Sequence, residues 1–312
     1  MITYFLLALG AVLSAVVGGF TSSSSSFHTT NNKLVIDDTM TSRWGRAPYI
    51  ALLTEPDACS SLTKVENTIN AIDNATIDEN VNLVVVRVND NDTQGSEASV
   101  LKWALLKRLA DMKKTRQFLL VVNDDVNIAL KALSENIPVD GVHVKEYKSH
   151  LIPSIRSKLE HVSICSFNTT SHHQNEHNII IGTSCHSIES GRKSYELSPR
   201  GPDYLFVGTC YLTQSHPEKD STDQLEGPTL PGKVKEDLYH LYNNANDNDG
   251  DNDDTQTTLP PPIIFAIGGI DQHNCHEPVI SYGADGVATI RTVMQASNPS
   301  EVVQCMKSAM NR

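Results

Sequence analysis

The sequence predicts an α/β chain folded as a (β/α)8 TIM barrel with two polar loop insertions. Three observations carry that prediction. Short apolar runs alternate with segments of helical periodicity along the chain, the pattern of parallel strands each crossed over by a helix. The runs are apolar throughout rather than every second residue, as in strands covered on both faces. Polar residues collect where the runs end, and in this architecture the C-terminal strand ends carry function.

The first strand is expected over Tyr49–Thr54, closed by Glu55-Pro56-Asp57, with helical spacing from Ser61 to Ile72. The second, Asn82–Val88, is apolar except for Arg87 near its end. Ser96–Lys113 repeats apolar residues at helical spacing (Val100, Trp103, Ala104, Leu106, Leu109) and ends in basic residues, which suit a helix C-terminus. Phe118–Val122 predicts the third strand, ending at Asn123-Asp124, and a short helix to Leu133. The fourth strand, Asp140–Val144, bears His143 and precedes a helix over Ser149–Leu159. Ile179–Ser184 with its helix Ser187–Leu197, then Asp203–Gly208, supply the fifth and sixth strands. A long loop over 209–227 carries Thr213 and leads to a helix over Lys233–Tyr242.

The stretch Pro262–Ile270 organises the remainder. Ile263–Ile267 reads as a doubly buried strand that stops on Gly268 and Gly269. Lacking a Cβ, these residues would let a ligand reach the backbone N–H groups, and either can take positive φ. Asp271 and Asn274 follow where a helix would start, which predicts a phosphate site at a helix N-terminus. The plainer reading is a tight turn with no ligand. Gly283–Ile290 is the eighth strand, and Pro299–Met310 the final helix.

Composition narrows the classes. At 312 residues, a formal net charge of −12 and a pI near 5.4, the chain has no nucleic-acid-binding footprint. Six cysteines are scattered without metal or redox spacing, as for reduced thiols. His172, His173 and His177 fall in the first polar insertion, 168–177, where nothing orients them toward a metal. The second insertion, 244–259, is too polar to pack, and is expected to be disordered. Its alternating Asp residues lack the closing Glu of a Ca²⁺ loop.

Residues 1–33 read as a presequence, leaving 34–312 as the barrel. Phe5–Val17 is an apolar run too short for a membrane span. A Ser-rich stretch ending at Phe27 follows, with no acidic residue before Asp37. This resembles the bipartite presequences of algae with secondary plastids, and plain secretion is the alternative.

Six segments stand in order along the chain: Asn123-Asp124, Asp140-Gly-Val-His143, Ile181-Gly182 through Ser184 to His186-Ser187, and Asp203-Tyr204 with Gly208 and Thr213. Ala266–Ile270 with Asn274, and Gly283–Ala288, complete the set. Taken together they resemble the thiamine phosphate synthase/TenI family, and the likeness covers roughly Tyr49–Met294. The resemblance implies coupling of a hydroxymethylpyrimidine pyrophosphate to a thiazole phosphate, with Mg²⁺ assisting departure of pyrophosphate. Its partners would be these small phosphorylated substrates, with no membrane for the mature chain; a homo-oligomer is left open. By position, Gly268, Gly269 and a Gly286-Val287-Ala288 turn would bind the thiazole phosphate. Arg87 would hold the pyrophosphate, Asn123 would orient it, and Asp124 would hold Mg²⁺. His143 would line the substrate site, Ser184 and Thr213 would donate hydroxyls, and His216 would stand among the reacting groups.

Departures from the family pattern bear on the pyrophosphate side. The second strand usually ends Gln-x-Arg-x-Lys, and reads Val85-Val86-Arg87-Val88-Asn89 here. After the fourth-strand His, Gly-Gln-x-Asp is replaced by Lys145-Glu-Tyr-Lys148, which removes a second metal carboxylate unless Glu146 substitutes for it. Thr-x-Thr-Lys becomes Thr213-Gln-Ser215-His216. Lys145, Lys148 or Lys219 would have to restore the lost cationic contacts. Two alternatives follow: a TenI-like thiazole phosphate tautomerase using His143 or His216 as base, or a phosphate-ligand binder without chemistry.

Overall fold

The computed structural model describes residues 43–87, 97–167, 178–214, 217–247 and 259–311, all within the compact unit Asp37–Arg312. The presequence, the His-bearing insertion, residues 248–258 of the acidic tract, Asn89 and His216 lie outside the described residues. Among the described residues no helix is long and apolar enough to cross a membrane.

Eight strands form a closed parallel barrel in sequence order. They are β1 (Tyr49–Leu53), β2 (Leu83–Val86), β3 (Leu119–Asn123), β4 (Gly141–Val144), β5 (Ile180–Cys185), β6 (Tyr204–Val207), β7 (Ile263–Ile267) and β8 (Gly286–Thr289). Ile50 of β1 is in register with Val287 of β8, which closes the ring. Strand side chains alternate between faces, and the alternation divides the core. Ala51, Leu53, Val85, Val121, Phe206, Phe265 and Ala288 fill the barrel interior. Ile50, Leu52, Val84, Val86, Leu120 and Val122 pack outward against the helices. Arg87, Asn123, His143 and Ser184 share the inward parity of their strands, so one barrel mouth receives them all.

The outer layer is α1 (Leu62–Ala75), α2 (Glu97–Met112), α3 (Val126–Ser134), α4 (Ile152–Phe167), α5 (Ile188–Tyr195), α6 (Leu230–Asp247), α7 (Arg291–Met294) and α8 (Pro299–Met310). Side-chain caps set several starts: Ser61 accepts from Lys64 N, Asp125 from Ile128 N, and Ser187 and Ser190 cap one another. Two expectations need correction. The acidic tract does not begin as loop, since α6 runs through Asp247. No α-helix starts after Gly268-Gly269; a turn leads to a short π-helix, Glu277–Ser281. Asp271 and Asn274 instead bond to each other's backbone N–H, and Asn274 Nδ2 donates to Gly269 O at 2.8 Å.

The N-terminal barrel face is sealed by Trp44, 2% exposed, whose ring lies 5.7 Å from that of Tyr204 and 6.0 Å from Phe265. The same contact recurs four times on this face. A side chain just before each even strand accepts the N–H of the preceding odd strand: Asn82 from Ile50, Asp140 from Leu120, Asp203 from Ile181 and Asp285 from Ile264. Cations hold the three aspartates: Lys113 and Arg43 on Asp140, Arg156 and Arg200 on Asp203, Lys235 on Asp285.

Candidate active site

A cavity of about 880 Å³ opens at the C-terminal strand ends. Its lining unites Arg87, Asn123, His143, Ser184, Thr213, Gly268, Gly269 and Ala288. Leu53, Phe206 and Ile267 supply apolar wall. Arg87 is fixed from behind by the buried Thr54, whose hydroxyl donates to Arg87 O and accepts from Arg87 N, both at 2.8 Å. The backbone is thus pinned where the guanidinium leaves the strand.

His143 stacks on Phe206 with ring centroids 4.6 Å apart. Its Nδ1 lies 3.2 Å from the Tyr204 hydroxyl and its Nε2 3.1 Å from Ser184 Oγ. Burial, reinforced by the charge of Arg87, pushes the imidazole down to about 3, so it is neutral at physiological pH. Burial also raises the Tyr204 phenol, which stays protonated. A buried O–H requires an acceptor, and here that acceptor is Nδ1. The imidazole then carries its proton on Nε2 and donates to Ser184 Oγ, leaving the serine O–H to donate into the cavity. Gly182 makes this possible sterically, because a Cβ there would fall 2.0 Å from the Tyr204 ring.

The two glycines after β7 have φ of +101° and +65°. A Cβ on Gly268 would meet Thr209 Cγ2 at 2.6 Å, and one on Gly269 would meet Leu212 O at 2.5 Å. Their missing side chains make room for the loop after β6, and their backbone lines the cavity. The expected turn at Gly286-Val287-Ala288 is corrected by the structure. These residues are strand β8, not a turn, and only Ala288 reaches the cavity. Val287 faces the outer helices, and Gly286 lies at the far end, where a Cβ would meet Tyr49 O at 2.2 Å.

Asp124 also departs from expectation. It follows Asn123 with outward parity and positive φ, +54°, and does not line the cavity. Lys148 Nζ sits 2.9 and 2.8 Å from its two carboxylate oxygens, and Lys145 Nζ is 3.5 Å away. The pairing raises the Lys148 ammonium above its ordinary range. A hard divalent cation needs several open oxygen ligands. The one carboxylate offered is covered by an ammonium, and among the described residues no group of three His, Cys, Asp or Glu side chains is placed to hold a metal ion. The residues present do not fit Mg²⁺ at Asp124.

Sequence reasoning gave no rim role to His186 or Arg291. His186 lines the cavity and bonds to Gly208 O through Nδ1, with Glu226 at 3.6 Å and Glu146 at 3.9 Å. Arg291, with Thr292, opens α7 on the rim. Both are the first long polar residues past a strand, which is the signal that could have found them. Lys145 and Glu146 line the cavity as well, while Lys219 is held by Glu226, itself bonded to Thr209 N.

A family model described as thiamine monophosphate synthase matches residues 51–293. The chain belongs to this family. It is similar to the thiamine-phosphate synthase of Geobacillus thermodenitrificans, 29% identical over 209 residues, covering 67% of this chain and 72% of that one. It is 26% identical to the thiamine-phosphate synthase of Synechocystis over 230 residues, 74% of this chain and 51% of the relative. Among solved structures, the thiamine phosphate pyrophosphorylase of Pyrococcus furiosus superposes with a TM-score of 0.50 at 18% identity. That alignment covers 84% of this chain and 95% of the other, and is a likeness of fold.

Proposed function

We propose that the barrel is a thiamine phosphate synthase, a transferase that joins the pyrimidinylmethyl group of hydroxymethylpyrimidine pyrophosphate to thiazole phosphate and releases pyrophosphate. The observation that carries this reading is the convergence of Arg87, Asn123, Ser184 and Thr213 on one cavity whose far rim is Gly268-Gly269. A cation and amide stand on one side for a leaving polyanion, hydroxyls in the middle, and backbone on the other side for a phosphate. The cavity volume, about 880 Å³, suits two small substrates together.

In this reading Arg87 grips two phosphoryl oxygens with its planar fork, and Asn123 orients the chain of phosphates. Ser184, its oxygen engaged by His143, donates outward to the pyrimidine or the bridging oxygen. Charge develops on the leaving group as the methylene carbon becomes cationic, so donors already aimed there lower the barrier. The tautomerase reading asks for a base. His143, pushed to about 3, is a poor one, and His216 lies outside the described residues.

Incubating the purified chain with both substrates and following products by mass decides among the readings. Thiamine phosphate supports the synthase. Isomerised thiazole phosphate alone supports the tautomerase, and binding without product leaves a binder. For residues 1–33 the reading is plastid entry through the secretory route. A fluorescent fusion of that segment should light the plastid; signal in the medium would favour secretion, and signal in the cytosol would refute both.

A further inference from the structure

Lys148 occupies the position where the family pattern carries a second carboxylate, and its ammonium engages both oxygens of Asp124. Two neighbouring carboxylates attract a divalent cation because their negative charges need neutralising at short range. Replacing one by an ammonium removes a negative charge, adds a positive one and neutralises the survivor. With Lys145 Nζ 3.5 Å from Asp124 as well, the cluster of one carboxylate and two ammoniums carries a net positive charge. A divalent ion entering here would meet two like charges and would have to displace a formed ion pair. Lys145 also lines the cavity, as does Arg87.

We propose that Lys148 takes the place of a divalent cation on Asp124, so that Arg87 and Lys145 hold the pyrophosphate side of the cavity without a metal ion. The consequence for turnover rests on the synthase reading; the exclusion of the ion does not. In the coupling, the bond between the pyrimidine methylene carbon and the pyrophosphate oxygen breaks, and its electron pair leaves on that oxygen. The thiazole ring nitrogen supplies the pair for the new C–N bond and becomes the cationic ring nitrogen of the product. No oxidant, reductant or further reactant takes part. The side chains offered to the leaving polyanion are then one guanidinium and one ammonium, both lining the cavity. Lys148 is a positioning residue: it takes both oxygens of Asp124 at 2.9 and 2.8 Å, while Lys145 stands farther off at 3.5 Å.

The test uses the full chain, with Mn²⁺ titrated by calorimetry and electron spin resonance, and pyrophosphate titrated in the presence of EDTA. Mn²⁺ should not saturate a site in the parent, and Lys148→Asp should create one, tightening Mn²⁺ binding about tenfold or more. Should Lys148→Asp fail to fold, Lys148→Gln uncovers Asp124 with less repulsion and should gain Mn²⁺ in the same direction. Pyrophosphate should bind in EDTA, and Lys145→Ala should weaken it about tenfold. Saturable Mn²⁺ binding in the parent that Asp124→Asn abolishes would overturn the proposal, as would pyrophosphate binding only when Mg²⁺ is added. Turnover separates the two claims. Equal thiamine phosphate formation in EDTA and Mg²⁺ supports the proposal, and formation in Mg²⁺ alone overturns it while leaving the synthase standing. No product in either, with Mn²⁺ silent and pyrophosphate bound, overturns the synthase reading and supports the exclusion of the ion.

Discussion

Burial decides what His143 can do. An imidazole held at about 3, against about 6.5 in the unfolded chain, leaves the unfolded state binding the proton first. Its effect on stability is therefore nil above pH 6.5 and becomes a loss as pH falls from there toward 3. We predict that the unfolding free energy of the parent, from urea titrations, falls more steeply over that window than that of His143→Leu, by up to about 1.4 kcal/mol per pH unit. A limb near pH 6.5 in the activity profile should be indifferent to Tyr204 and His143. Tyr204→Phe tests the tautomer. It strands Nδ1, costs about 1–3 kcal/mol of stability, and should lower kcat more than it changes KM, because Ser184 loses its fixed orientation. Unchanged kcat in a folded Tyr204→Phe would show that Ser184 needs no such support. At this scale the sequence was legible through parity. Arg87, Asn123, His143 and Ser184 stood at inward positions near strand ends, whereas Asp124 sits one residue out of phase. What the sequence did not disclose is that Lys148, four residues past Val144, folds back onto Asp124 from the 3-10 turn Glu146–Leu151.

The loop between β7 and the π-helix shows an element made by its neighbours. Gly268 and Gly269 accept the carbonyl-bearing loop after β6, with Tyr211 N donating to Gly268 O at 2.9 Å. From the other side Thr289 and Thr292 hydroxyls donate to Ile270 O at 3.1 and 2.8 Å. Gly269→Ala combines positive φ with a Cβ 2.5 Å from Leu212 O, and should destabilise by about 1–3 kcal/mol, read by thermal unfolding. The same change should weaken thiazole phosphate binding indirectly, by moving the loop that bears Thr213. A Gly269→Ala chain of parental stability would contradict the packing described. Strand–Gly-Gly–strand was readable from spacing alone. The missing α-helix was not, because Asp271 and Asn274 suit an N-cap and an Asx turn equally, and only the backbone they bond to distinguishes the two.

At the scale of the whole barrel, charge is spent on the face opposite the site. Arg156 is buried and bonds Ile179 O, Gly201 O and Asp203 at 2.7, 2.9 and 2.9 Å. Asp203→Ala would leave that guanidinium without its counter-ion in the interior, and we predict a loss of about 3–5 kcal/mol by denaturant unfolding. Cavity-lining residues should keep their ligand affinity in whatever fraction remains folded. The sequence marked Asp140, Asp203 and Asp285 by their motifs, but which barrel end they serve follows only from strand polarity. Their fourfold contact, Asn82 included, spans 32, 20, 22 and 21 residues. Every such clasp therefore joins an odd strand to the even strand that follows it, and none bridges β2 to β3, β4 to β5, β6 to β7 or β8 to β1. The ring is thus four short-range closures set side by side. New chain ends placed between units, for instance between β4 and β5, leave every clasp local. Ends placed between β5 and β6 turn one clasp into a contact between opposite ends of the chain. Refolding by stopped flow should slow in the second permutant and stay near the parental rate in the first, since early long-range closure is what costs time.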